Sequence, residues 1–205
     1  MSPKISAGMR ARYLQERREK ILDASLRAFN QKGFASTSVA EIAAAAGIAK
    51  GTVYLYFRSK EDILNEILSE RSFKPLLANA IEKGRPLEVT LRNIAEAYFQ
   101  FMEEYVPILR LVLTDTQRFP EQAQRVVREV MLKGTDSLAE FFVALARTGE
   151  IRPLENPLLT ARAFLSMFTT YVLTQQVFNG QAVAPIDRQT WMDEAIQVFM
   201  DGVRV

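Results

Sequence analysis

Lys50 and Lys60 set ammonium groups at the two ends of a short segment that also carries the hydroxyls of Thr52, Tyr54 and Tyr56. Cations and hydroxyls in that arrangement suit phosphate oxygens. Elsewhere the chemical inventory is thin. The chain has no cysteine and no histidine, which removes thiolate and imidazole metal sites, disulfides and the commonest general base. No phosphate-cradling glycine loop and no clustered acidic motif takes their place. The expectation is a protein that binds rather than catalyses, with no cofactor and no metal.

The elements that must position these side chains lie in Ser36–Lys60, STSVAEIAAAAGIAKGTVYLYFRSK. Ser38 can N-cap a helix, and Glu41 three residues on completes a capping box. Ile42, Ala43 and Ala46 follow at helical spacing. Gly47 supplies a left-handed stop, Ile48 plugs the corner, and a second helix is expected from about Ala49 to Phe57. A small residue (Ala43), a turn glycine (Gly47) and a β-branched residue (Val53) in that order allow two helices to pack closely. That is the packing of a DNA-binding helix-turn-helix, whose second helix enters the major groove. With Val53 and Phe57 turned inward, Lys50, Tyr54, Tyr56 and Lys60 are expected to anchor phosphates. Ala49, Gly51 and Thr52 would face the groove and its base edges, and Thr37 and Ser38 would donate to phosphates. The bland alternative is an ordinary αα-hairpin.

Lys50-Gly51-Thr52-Val53-Tyr54-Leu55-Tyr56-Phe57, followed by Ser59-Lys60-Glu61-Asp62, strongly resembles the TetR family of bacterial transcriptional regulators. The resemblance spans Arg18 to Leu68, about a quarter of the chain. It implies a dimer built mainly through the last two helices and an effector cavity among the central ones.

Charge agrees with such a head. Residues 1–60 carry 11 Lys and Arg against 4 Asp and Glu, a net +7, whereas residues 61–205 carry 15 against 20, a net −5. A basic end on an acidic body suggests that the end meets a polyanion. The apolar fraction of 48% and charged fraction of 24% are ordinary for a globular protein. No apolar run reaches the roughly 18 residues of a membrane helix, and the N-terminus lacks a signal-peptide core. The expected location is the cytoplasm, with no membrane partner.

The fold expected is all-α, with a three-helix DNA-binding domain over residues 1–58 and a helical effector-binding and dimerisation domain over 59–205. Residues 1–10 read as a flexible arm and 11–32 as the first helix, with Arg17, Arg18 and Lys20 on its polar side. A helix over 59–73 would link the domains, with Ser59 and Asp62 as a shortened capping box and Pro75 ending or kinking it. Further helices are expected over 87–105, 108–114 after Pro107, from Pro120 to Gly149 with Gly134 in its middle, 157–178 behind an Asn156 cap, and from Asp187 onward. The segment after Pro157 is apolar nearly all round and must be buried on more than one side.

Tyr98, Met102, Tyr105, Phe119, Phe141, Phe142, Phe164, Phe168 and Tyr171 form the inventory for an apolar or aromatic effector, with plain core as the competing reading. Gln117 and Arg118 are among the polar groups that could orient it. Phe164, Phe168, Val172, Gln175, Trp191, Ala195, Val198 and Phe199 are the candidates for a homodimer interface. The function expected is a ligand-responsive repressor that binds a palindromic operator as a dimer. The alternatives are a DNA-binding regulator controlled by a protein partner, an activator without a ligand, and, remotely, an all-helical enzyme or adaptor.

Overall fold

The computed structural model describes residues 7–70, 73–82, 84–114 and 120–204, and all regular structure among them is helical. The chain divides into two compact units, Met1–Glu70 and Arg71–Val205. The first contains α1 (Ala7–Lys32), α2 (Val39–Ala46), α3 (Lys50–Tyr54) and α4 (Lys60–Glu70). The second contains α5 (Lys74–Ala80), α6 (Leu87–Thr114), α7 (Pro120–Arg125), α8 (Thr135–Thr148), α9 (Pro157–Tyr171) and α10 (Arg188–Val203). Two of these continue into wider π-helical turns, α7 through Val126–Leu132 and α9 through Val172–Val177.

Several boundaries differ from the sequence reading. α1 begins at Ala7, so residues 7–10 are helix rather than arm; residues 1–6 lie outside the described part. The expected division at 58/59 falls instead at 70/71. Glu66 on α4 pairs with Arg18 on α1, which ties this helix to the first unit. Residues 71 and 72 of the expected link lie outside the described residues. Pro75 opens α5 from its first turn, where the missing N–H costs nothing, rather than ending a helix.

Pro107 does not divide α6. A proline inside a helix costs about 3 kcal/mol, but Tyr105, Ile108, Leu109 and Val112 on both sides of it are fully buried. Burying a large apolar side chain contributes about 1.5–3 kcal/mol, so continuity wins. Gly134 lies in no helix. Its φ of 100° breaks the expected long helix, and an added Cβ would lie 3.5 Å from that of Phe73. That distance is ordinary packing, so it is the left-handed backbone that calls for glycine there.

The core of the second unit is two groups of rings. Phe73, Tyr98, Phe101 and Tyr105 form one, with centroids 5.1–6.4 Å apart. Phe99, Phe142, Phe164, Phe168, Tyr171 and Phe199 form the other, largely edge-to-face. Local capping fixes the helix starts as expected: Asn156 accepts from Leu159 N–H at 3.1 Å, and Asp187 from Thr190 N–H at 2.8 Å. The latter bond is the main reason that the Asp187 carboxyl titrates below its usual range.

Candidate nucleic-acid interface

α2 starts with the expected capping box. Ser38 N–H donates to Glu41 Oε2 at 2.8 Å, and Glu41 N–H donates to Ser38 Oγ at 3.3 Å. Lys32 Nζ reaches the other Glu41 oxygen at 2.5 Å. The Lys32 bond, with the Ser38 backbone bond next, lowers the Glu41 pKa to about 2. At the far end Gly47 has φ 68° and ψ 33°. Gly47 N–H donates to Ala44 O and Ile48 N–H to Ala43 O at 3.1 and 3.0 Å, closing the helix as the glycine stop requires. Ile42, Ala43, Val53 and Phe57 are buried, so the pair of helices locks through the residues that the spacing singled out.

α3 is shorter than expected, ending at Tyr54, although Phe57 N–H still donates to Val53 O at 3.0 Å. Its exposed side carries Ala49, Lys50, Gly51 and Tyr54, with Thr52 and Tyr56 half-buried at its margin. The Lys50 ammonium stands 5.9 Å from the Tyr54 ring centre. Three local choices in this helix work against its own stability. Ala49 offers no side-chain cap, and the first turn has no acidic residue but does have Lys50. Gly51 is helical although a Cβ there would meet nothing within 4 Å. Each rule broken costs a few tenths to about 1 kcal/mol. Breaches of local rules that no packing explains are the kind expected at functional or strained sites.

Other expected contacts are occupied elsewhere. Lys60 Nζ donates to the carbonyls of Phe34, Ala35 and Thr37 at 2.6, 3.1 and 3.0 Å, and lies 4.5 Å from the Phe34 ring centre. An ammonium has three donors, and all three are spent inside the unit, so Lys60 is not the expected phosphate anchor. Thr37 is 2% exposed. Its hydroxyl donates to Gly33 O at 2.8 Å, so it does not reach solvent as a phosphate donor either. The Ser38 hydroxyl is exposed but hydrogen-bonded to Glu41 at 2.9 Å. Ser59 caps α4 by accepting from Asp62 N–H at 3.2 Å, while the Asp62 carboxylate takes the Arg58 N–H rather than that of Ser59.

Sequence reasoning misses Leu55, which is 83% exposed beside the reading helix. With Leu14, Gln15, Arg18 and Tyr56 it lines an open surface groove of about 500 Å³. The available signal is position: Leu55 is the large apolar residue between inward-facing Val53 and Phe57.

In the second unit, Tyr98, Met102, Tyr105, Phe142, Phe164, Phe168 and Tyr171 are buried, and Phe141 is half-buried. They do not converge on one point, because Tyr98 and Tyr105 belong to the first ring group and Phe142, Phe164, Phe168 and Tyr171 to the second. The Tyr98 hydroxyl lies 2.8 Å from Thr169 Oγ1, and burial pushes its pKa up to about 12. Phe119, Gln117 and Arg118 lie outside the described residues. Among the described residues no group of His, Cys, Asp or Glu could hold a metal ion, and no helix is long and apolar enough to cross a membrane.

The expected dimer residues need correction. Phe164, Phe168, Val172 and Gln175 are closed inside their own protomer, as are Ala195 and Phe199. Gln175 Oε1 accepts from Ile186 N–H at 3.2 Å, and Trp191 Nε1 donates to Met167 O at 3.0 Å. Only Val198 of that set is broadly exposed, at 57%. The exposed side of α9 and its extension carries Leu159, Ala163, Ser166, Thr170, Thr174 and Phe178. Ser166, Thr170 and Thr174 each donate to the carbonyl four residues back, at 2.6–2.9 Å.

Comparison with known proteins agrees with this anatomy. The family described as "Bacterial regulatory proteins, tetR family" matches residues 21–67, and "AefR-like transcriptional repressor, C-terminal domain" matches residues 89–202. The HTH-type transcriptional regulator AcrR of Shigella flexneri is 32% identical over 165 residues, covering 75% of this chain and 74% of that protein. HbdR of Aromatoleum is 25% identical over 179 residues, covering 82% and 68%. A TetR-family regulator structure from Mesorhizobium loti superposes with a TM-score of 0.75 at 22% identity, covering 93% of this chain and 98% of that one. The fatty acid degradation regulator FadR from Bacillus halodurans gives 0.70 at 20% identity, covering 96% of each. A capped α2, a glycine corner and a polar-faced α3, followed by an all-helical second unit, are the anatomy on which these matches fall, and the chain therefore belongs to the TetR family of DNA-binding helix-turn-helix transcriptional regulators and is not an enzyme.

Proposed function

We propose that the protein is a cytoplasmic repressor that holds a palindromic operator as a homodimer and leaves it when a small apolar or aromatic effector binds the second unit. The observation that carries this reading is α3. A helix with an uncapped start, a cation in its first turn and a sterically unneeded glycine is locally costly, and DNA at that end offsets the cost. Lys50, Tyr54 and Tyr56 anchor phosphates, and Ala49, Gly51 and Thr52 face base edges.

The dimer is supported by the exposed side of α9. Its residues from Ala163 to Thr174 are small, and their hydroxyls are already satisfied within the helix, so a second copy can approach without stranding polar groups. Two heads about 34–36 Å apart then read one palindrome as a unit. The effector is supported by the ring-rich interior, in which Tyr98 and Thr169 supply hydroxyls. To release DNA it must bind the DNA-incompetent state more tightly than the competent one, since equal affinity shifts nothing.

Selection of bound duplexes from a random pool, repeated at several salt concentrations, tests the reading. Enrichment of a palindrome with steep salt dependence is expected. Weak binding without enrichment in the absence of effector would point to a co-repressed regulator, and a non-palindromic site would refute the dimer.

A further inference from the structure

We propose that Lys60 is a positioning residue, a latch that makes α4 and the segment leading into α2 move as one piece. It rests on the DNA-binding reading above and concerns how the reading head is held. Three bonds from a single ammonium converge on residues 34, 35 and 37, at 2.6, 3.1 and 3.0 Å. Those residues form the link between the end of α1 and the N-cap of α2. The link is itself fastened at both edges. Phe34 packs on Phe29 of α1 with ring centres 5.0 Å apart, and buried Thr37 donates back to Gly33 O. One residue beyond the link, Ser38 opens the capping box of α2.

Lys60 stands in the first turn of α4, and the same helix is joined to α1 farther along through Arg18 and Glu66. Arg18 also lies 5.7 Å from the ring centre of Phe57, directly after the reading segment. α4 is therefore gripped at two points by the elements that orient α2 and α3. A shift at its far end, where the first unit stops at Glu70, is delivered to α2 through carbonyl oxygens rather than lost in a loose loop. Charge-assisted bonds suit this task because they are short and about twice as strong as neutral ones.

A latch and a phosphate contact respond differently to substitution. Lys60→Met keeps the apolar stem over Phe34 and removes the three bonds. Lys60→Arg keeps the charge, but its planar fork does not match carbonyls grouped around one tetrahedral nitrogen. Lys50→Met serves as the comparison for a phosphate contact. The probes are the full-length protein, the duplex that the wild-type chain enriches, and backbone hydrogen exchange over residues 34–42 without DNA.

For K60M we expect binding weakened by about tenfold with an unchanged salt slope, and faster exchange at the start of α2. K60R should resemble K60M. K50M should reduce the slope by about one phosphate and leave exchange unchanged. Full rescue by K60R, or a reduced slope in K60M with normal exchange, would make Lys60 a phosphate contact and overturn the latch. So would a lowered melting temperature with unchanged affinity of the folded protein, the mark of a merely structural bond. If the wild-type chain enriches no duplex, the operator reading fails; the exchange comparison still decides, since K60M with normal protection refutes the latch.

Discussion

Gly51→Ala should move stability and DNA binding in opposite directions. In the free protein the new Cβ meets nothing within 4 Å, and Gly51 is not in the left-handed region. Alanine then stabilises chiefly by restricting the unfolded chain, by about 0.5–1 kcal/mol. For a chain of this length that corresponds to a rise in Tm of roughly 1–4 °C. In the proposed DNA complex the same methyl would occupy space that the groove-facing backbone leaves to the ligand. Overpacking a close contact costs about 1–3 kcal/mol, a rise in Kd of roughly 5- to 150-fold. Thermal melts of the free protein and fluorescence anisotropy with the enriched duplex read the two effects separately. Because no charge changes, the salt slope should be that of the wild type. A stabilised variant with unaltered affinity would refute the placement of Gly51 at the groove. A destabilised one would refute the steric reasoning itself.

Glu41 predicts an acid-sensitive edge to the first unit. Its folded pKa is lowered from 4.5 to about 2, first by the Lys32 bond and then by the Ser38 backbone. A depressed carboxyl contributes stability that is whole above its unfolded value and lost as pH falls from about 4.5 through about 2. Urea midpoints across that window should fall for the wild type and be flatter for Glu41→Gln. Thr170→Glu on the exposed side of α9 should yield monomers in sedimentation velocity with unchanged helicity; retained dimers would move the interface elsewhere. Phe164→Ala removes a ring that meets Phe142, Phe168 and Phe199 and should cost about 3–5 kcal/mol. A variant of near wild-type stability in denaturant titration would show that this part of the core is not closely packed.

Features set by a few neighbouring residues are legible in the sequence. The caps at Ser38, Asn156 and Asp187 and the corner at Gly47 follow from side chains that bond within three residues or from a backbone that glycine alone takes easily. The all-helical body follows from periodicity in the same way. Features that depend on distant partners are not legible. Thr37 and Lys60 look like surface donors until the chain folds carbonyls around the ammonium from 23–26 residues away. Pro107 resembles a breaker only while burial on both sides of it is out of view. Gly134 shows its identity but not its φ. The dimer residues mislead for a related reason. A helix apolar around most of its circumference does not announce which side its own protomer covers, so Phe164 and Phe168 fit both the interior and the interface reading although they face in.

In the proposed dimer, the closed hydroxyls along α9 bear on how the chain keeps to its own kind. A surface whose Ser and Thr protons are already committed makes no directional demand, and another protein with a similarly flat helix would satisfy it equally. In the proposed dimer, discrimination against mixed pairing with related regulators would fall to the large exposed side chains Leu159, Phe178 and Val198. Pairing fidelity in that dimer would then rest on few sites. A small number of exchanges there would redirect one regulator toward another's partner.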